Sequence, residues 1–295
     1  MELSSENSNL QGKRSSRSGT ISSKTMSVQG RAGAVILNLQ EPAQSVKGEI
    51  WGKPALFKNI NESGKVWLAY LGPDRVQLPG EYLLKVKIKD PAGKTREFFK
   101  AIRLREKNYP EEKLTLQEEP YTPELLAQIT KDNNALIAAM SAINPVCYWD
   151  PGFVRPVPGD VTSPFGTRRI INNSPRSPHF GTDFKAAEGD EVHAVNNGKV
   201  SIVYQGYLTG NSLIIDHGCG LYSVYFHLSE IMVKTGDMVK KGQTVAKAGM
   251  SGRASGPHLH FSLRLDNTYI DPVALFEISQ QVDQELSGAN PKISP

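Results

Sequence analysis

GRASGPHLHFSL, residues 252–263, sets two histidines either side of one leucine. From His258 onward polar and apolar residues alternate, and a period of two predicts a strand. Successive strand side chains project to opposite faces, so His258 and His260 share one face while Leu259 and Phe261 turn into a core. Two neighbouring imidazoles would repel each other if both were protonated, so the pair suits a neutral, metal-binding role. The chain has 6 histidines in 295 residues. At that frequency a His-x-His triplet also arises by chance, so the reading depends on partners elsewhere.

A first partner is SPHFGTDF, residues 177–184. In an extended conformation His179, Gly181 and Asp183 share a face, with Phe180, Thr182 and Phe184 on the other. Gly181 leaves the approach between imidazole and carboxylate open. Both groups are competent zinc ligands, and a catalytic zinc typically keeps three protein ligands and one open position. His179, Asp183 and one histidine of the 258–260 pair complete such a set. A second partner is His227 in VYFHLSEI, where alternation places it on the face of Tyr225, opposite Val224, Phe226 and Leu228. A lone histidine is usually structural, but a metal-activated water needs a base and groups that stabilise the developing oxyanion. His193 and His217 read as structural.

Composition sets the bounds. Charged residues make up 22% and hydrophobic ones 39%, as in ordinary globular proteins. A net charge of +4 favours anionic polymers such as cell wall but is too weak to argue for nucleic acid. No run approaches the roughly 18–20 apolar residues of a membrane helix. No basic start followed by an apolar core marks a signal peptide, so the chain is expected to be cytosolic or to lack its targeting segment. Cys147 and Cys219 form no CxxC pair, and their distance in sequence says nothing of proximity. Two thiols are the expectation, with a disulfide as the alternative in an oxidising compartment.

Residues 1–28 are rich in Ser, Asn and Lys/Arg and read as a flexible tail. Residues 29–106 read as a small β-sandwich. EYLLKVKIKD puts Tyr82, Leu84, Val86 and Ile88 on one face and lysines on the other, before a turn at Asp90–Gly93. Residues 107–150 form a helical connector: Thr122 is the N-cap, Pro123 the first helical residue, and Asn144-Pro145 the stop. Residues 151–280 read as strand and turn, and 281–295 as a C-terminal tail. Within that stretch EGDEVHAVNNGKV (188–200) resembles TGDMVKKGQTV (235–245), which suggests a duplicated β-unit with turns at Gly189-Asp190 and Gly236-Asp237. The fold expected is mainly β, an antiparallel β-sandwich or split barrel behind a smaller N-terminal β-module and a helix.

HFGTD (179–183), NSLIIDHGCGLYSVYFHLS (211–229), GDMVKKGQTVAKAG (236–249) and SGPHLHF (255–261) together resemble the lysostaphin and LytM-type zinc endopeptidases of bacterial peptidoglycan. The resemblance spans about residues 152–276 and implies zinc held by His179, Asp183 and His260, with His227 and His258 as the catalytic histidines. It implies hydrolysis of peptide stems and cross-bridges, a periplasmic or envelope location and a regulatory protein partner as a further option. It also implies an arginine, Arg168, near the cleft, either a contact for a substrate carboxylate or a solvated charge. The N-terminal module resembles, through LPGEYLLKV, the immunoglobulin-like region of some Gram-negative wall endopeptidases. Residues 29–150 are expected to act as a spacer or docking module, with a shield over the metal as the second reading. A non-enzymatic activator of wall amidases is the alternative function, though such relatives have lost ligands. A biotinyl or lipoyl carrier, suggested by GDMVKKGQTV, lacks the exposed lysine tip.

Overall fold

In the computed structural model, which describes residues 20–24, 28–115, 121–175 and 177–288, eight strands form the N-terminal region. They are β1 (Thr20–Lys24), β2 (Gly33–Asn38), β3 (Ser45–Ile50), β4 (Lys53–Leu56), β5 (Lys58–Asn59), β6 (Val66–Leu71), β7 (Gly80–Lys89) and β8 (Thr95–Leu104). Two four-stranded sheets result, in the orders β1-β2-β6-β5 and β4-β3-β7-β8. Alternation in β7 works as read: Leu84, Val86 and Ile88 are buried, and Lys87 and Lys89 are exposed. β2 and β6 obey a different rule. Val35, Leu37, Trp67 and Ala69 share a core with the second sheet, whereas Ala34, Ile36, Leu68 and Tyr70 join the core of the C-terminal half. Strands buried on both faces read as unbroken apolar runs, which is why AVILNL and VWLAYL show no period of two.

Residues 1–19 and 25–27 of the expected tail lie outside the described residues. Thr20–Lys24 departs from that expectation, because β1 pairs antiparallel with β2, using backbone groups that β2 would otherwise leave unpaired at a sheet edge.

The connector holds β9 (Glu111–Leu114) and α1 (Pro123–Ala139). Thr122 caps α1, its Oγ1 accepting from the Leu125 N–H at 3.2 Å, and Pro123 opens the helix. The stop comes earlier than Asn144-Pro145: α1 ends at Ala139, and Ile143 is 43% exposed. The chain then turns towards Cys219, where the Cys219 N–H donates to Asn144 O at 2.7 Å and the Tyr148 N–H to His217 O at 2.8 Å. These bonds seat Cys147 against Cys219 and correct the expectation of two thiols. The pair is a disulfide, with Cα atoms 4.8 Å apart across a separation of 72 residues.

The C-terminal half comprises β10 (Val161–Ser163), β11 (Arg168–Ile171), β12 (Ser174–Pro175), β13 (Thr182–Lys185), β14 (Glu191–His193), β15 (Gly198–Gly206) and β16 (Gly210–Gly218). They continue as β17 (Leu221–Leu228), β18 (Glu230–Ile231), β19 (Met238–Val239), β20 (Thr244–Lys247), β21 (His258–Leu265), β22 (Thr268–Ile270) and α2 (Pro272–Leu286). The main sheet runs β10-β13-β21-β17-β16-β15-β19, all antiparallel, with β22 on β21. α1 lies on it, Leu136 and the C-cap residue Met140 packing against Ile214, Tyr222 and Val224. Its buried Asp132 accepts from Tyr204 Oη at 2.9 Å and the Tyr207 N–H at 2.8 Å.

The two repeat turns match. Asp190 accepts from the Ala187 N–H at 2.7 Å, Asp237 from the Lys234 N–H at 2.8 Å, and the preceding glycines hold φ of 91° and 96°. Their strands are exchanged: β14 pairs with β20, and β19 with β15. The helix α2 was not expected, and it carries residues 281–286 of the supposed tail. Asp271 caps it, accepting from the Val273 N–H at 3.1 Å, and Leu275, Ile278 and Val282 are buried in the shared core.

Because β2 and β6 serve two cores, the halves are expected to unfold together. Ile36→Ala should cost about 2–5 kcal/mol and shift one calorimetric transition of the whole chain. Two resolved transitions, only one of them shifted, would show that the shared layer does not couple them. A second expectation concerns His217, fully buried, whose Nδ1–H donates to Asn197 O at 2.8 Å and whose Nε2 faces Ser223 Oγ at 2.7 Å. Burial pushes its pKa down to about 4. The unfolded chain binds that proton near pH 6.5, so the unfolded state holds more protons between those values. Stability should therefore fall as pH drops from about 6.5 to about 4. Urea midpoints across that window should be less pH-dependent in His217→Gln.

Candidate metal centre

β13 and β21 lie side by side with Asp183 opposite His260 and Lys185 opposite His258. Leu259, Phe261 and Leu263 are fully buried beneath them, which turns His258, His260 and Ser262 to the cleft. His179 sits in the loop before β13, fixed by two backbone bonds: its N–H donates to Thr167 O at 3.0 Å, and its carbonyl accepts from the Gly166 N–H at 2.8 Å. The extended reading of 177–184 therefore holds only from Thr182. Phe180 is not on a core face with Phe184 but 41% exposed, stacked on Tyr269 at 5.2 Å.

His179 Nε2, Asp183 Oδ1 and His260 Nδ1 form a triangle with sides of 3.1, 2.8 and 3.0 Å. The far nitrogens decide which atoms carry hydrogens. His179 Nδ1 lies 3.2 Å from Pro164 O, which can only accept, so Nδ1 carries the hydrogen and Nε2 offers its lone pair. His260 Nε2 lies 3.0 Å from Ser262 Oγ, which can accept its hydrogen and leave Nδ1 free to bind. Three electron-pair donors thus converge on one point, the arrangement a cation satisfies. Gly181 is required: a Cβ there would come within 2.6 Å of His260 Nε2. Burial alone would raise the Asp183 carboxyl, but the His179 and His260 rings beside it hold it well below the usual carboxylate range. Burial also lowers the pKa of His260. All described hydrogen-bond and ion-pair partners of the three come from residues 162–262, and none from 29–150.

His227 reaches the cleft by a route that alternation did not predict. Phe226 lies opposite His260 and stacks on it at 5.3 Å, while Tyr225 is buried opposite Phe261. A regular strand would send His227 into the core beside Tyr225. Instead the β16–β17 pairing shifts register between Asn211 and Leu213, and His227 adopts φ 63°. This bulge re-aims the ring to the cleft side, 4.9 Å from His258 and 6.2 Å from His260. Its Nδ1–H donates to Ser251 O at 2.9 Å, and that of His258 to Gly256 O at 2.8 Å, so both rings present Nε2. Burial, helped by the neighbouring His260 and His258, takes His227 down to about 4.

The five residues singled out from the sequence therefore come together. A cavity of about 300 Å³ beside His179 and His260 includes Arg169, Phe180, Phe226 and Tyr269 as further walls. Arg168, the arginine expected at the cleft, is 60% exposed and paired with Glu111 at 3.0 Å, whereas Arg169 lines the cavity. Ser262 could have been found by extending the β21 face two residues. Arg169 could not, because its place follows from pairing with a distant strand.

Gly181→Ala should keep the fold but lose metal, since the added methyl displaces His260. Metal analysis beside circular dichroism would check this, and full metal retention would contradict the cradle.

Residues 177–272 match the model of peptidase family M23. The Vibrio cholerae protein named peptidoglycan DD-endopeptidase ShyB is 41% identical over 112 residues, 38% of this chain and 26% of that protein. Peptidoglycan DD-endopeptidase ShyA of the same organism is 38% identical over 104 residues, 35% of this chain and 24% of that protein. The chain thus covers about a quarter of the length of these curated relatives. A Pseudomonas aeruginosa crystal structure assigned to peptidase M23 superposes with a TM-score of 0.64 at 28% identity, covering 85% of this chain and 95% of that one. Residues 177–272, which hold the triangle of candidate metal donors, thus form a peptidase family M23 domain.

Proposed function

We propose that the chain is a zinc-dependent endopeptidase that hydrolyses peptide cross-links of bacterial peptidoglycan. The observation that carries this is the convergence of His179 Nε2, Asp183 Oδ1 and His260 Nδ1 within 3.1 Å of one another. Two imidazoles and one carboxylate suit zinc, and three protein donors leave room for water. When bound, zinc supplies Lewis acidity that makes a water acidic enough to be a nucleophile near neutral pH.

The chain's own residues do the rest. His227 and His258 both hold their hydrogen on Nδ1, so each offers Nε2 to take a proton from the attacking water. Hydroxide adds to the carbonyl carbon, the C–N bond breaks, and the proton taken up leaves on the amine. The carbonyls of Ser251 and Gly256 keep the two rings in that tautomer throughout.

Several features support the substrate and place. The relatives named above are called peptidoglycan DD-endopeptidases, which favours a link between D-amino acids. A net charge of +4 suits an anionic wall polymer. The Cys147–Cys219 disulfide fits an oxidising compartment such as the periplasm. No described helix is long and apolar enough to cross a membrane. The complete set of histidines and aspartate favours an enzyme over a non-enzymatic amidase activator.

Zinc content and hydrolysis of cross-linked muropeptides, followed by mass spectrometry, test the division of labour. His260→Ala should lose zinc and activity together. His227→Ala and His258→Ala should keep zinc and lose roughly 10²–10⁴-fold in turnover. If His258→Ala lost zinc as fully as His260→Ala, the assignment would be wrong.

A further inference from the structure

Arg169 is the one lysine or arginine among the described residues that line the cavity beside His179 and His260. Its position depends on the connector. β9 pairs in parallel with β11, setting Glu111 beside Arg168 and Glu112 beside Arg169. Arg169 Nε donates to Glu112 Oε2 at 3.2 Å, and Nη2 to Ser163 Oγ at 3.3 Å. Ser163 Oγ in turn lies 3.3 Å from His179 Nδ1. A guanidinium has five N–H donors in a flat fork, so two described bonds leave donors for a ligand. The Glu112 pair is partly exposed on both sides, at 37% and 46%, and such pairs are weak enough to exchange partners. Apolar surface completes the cavity, with Phe180 stacked on Tyr269 and Phe226 lying flat on His260.

A planar cation beside aromatic walls fits a small residue with an aliphatic body and a free carboxylate. A bond near the end of a peptide stem has such a carboxylate on its amine side. We propose that Arg169 is a specificity-determining residue that binds a free carboxylate on the residue following the scissile amide. This rests on the peptidase reading of the site given above.

The probe is a pair of peptides sharing a D-alanyl scissile bond, the next residue carrying either a free carboxylate or a carboxamide. The zinc-loaded full chain should favour the carboxylate by between about tenfold and a hundredfold in kcat/KM, chiefly through KM. Arg169→Gln should bring the ratio near one with zinc content unchanged. Ser163→Ala, which cuts the link from the guanidinium to His179, should keep the preference, and Glu112→Gln should keep or raise it. Equal rates on both peptides in the unaltered chain would overturn the proposal, as would a preference that survives Arg169→Gln. Loss of zinc in Arg169→Gln, or loss of the preference in Ser163→Ala, would show that Arg169 acts only by positioning His179. Should the chain cleave neither peptide, the peptidase reading fails, but calorimetric binding of the same pair still decides. A carboxylate preference in binding that Arg169→Gln abolishes sustains the role, and no preference ends it.

Discussion

The antiparallel register between β13 and β21 is the constraint on which the site depends. It sets Asp183 directly across from His260 and brings their donor atoms to 2.8 Å. A slip of one residue would exchange the faces of the moving strand. Were β21 to slip, its two histidines would enter a core that now holds Leu259, Phe261 and Leu263, and those apolar groups would meet water. The cost of that exchange locks the register, and the site inherits its geometry from the packing beneath it. His179 is placed independently, by backbone bonds to the turn at Gly166 and Thr167.

What could be read from the sequence followed from local rules. The alternation of β7 and β21, the Thr122 cap and the Gly-Asp turns each report an interaction between residues close in the chain, and the structure contains them all. What escaped was set by distant partners. His227 points to the cleft because a bulge opposite β16 breaks the period that would have buried it. Cys147 meets Cys219 through bonds that cross 72 residues. α2 is a different case, since Asp271, Pro272 and the spacing of Leu275, Ile278 and Val282 were a readable helix signal. The strand pattern just before it masked the change of period.

The N-terminal region is more than a spacer in physical terms. Its sheet of β1, β2, β6 and β5 is sandwiched, giving one face to its own partner sheet and the other to Trp149, Phe153 and α2. Ion pairs from Arg31 and Lys107 to Asp271 lie at the same seam, with Lys107 at 3.1 Å. Such a doubly used layer resists sliding, because either core would lose packing. The connector extends this rigidity to the cleft, since β9 buttresses β11 and so holds Arg169 at the cavity wall.

The pairing of β13 with β21 also bears on the order in which the protein acquires its parts. Asp183 and His260 are 77 residues apart, and the strands between them, β15 to β17, form hairpins with their own neighbours. Closing so long a loop is entropically costly until those hairpins shorten it. A chain emerging from its N-terminus can thus complete the β7–β8 hairpin and much of the central sheet while the candidate metal site still lacks one of its donors. The three donors exist as a set only once one of the last strands docks. An incomplete chain therefore holds the candidate donors apart, and the triangle closes only with completion of the fold.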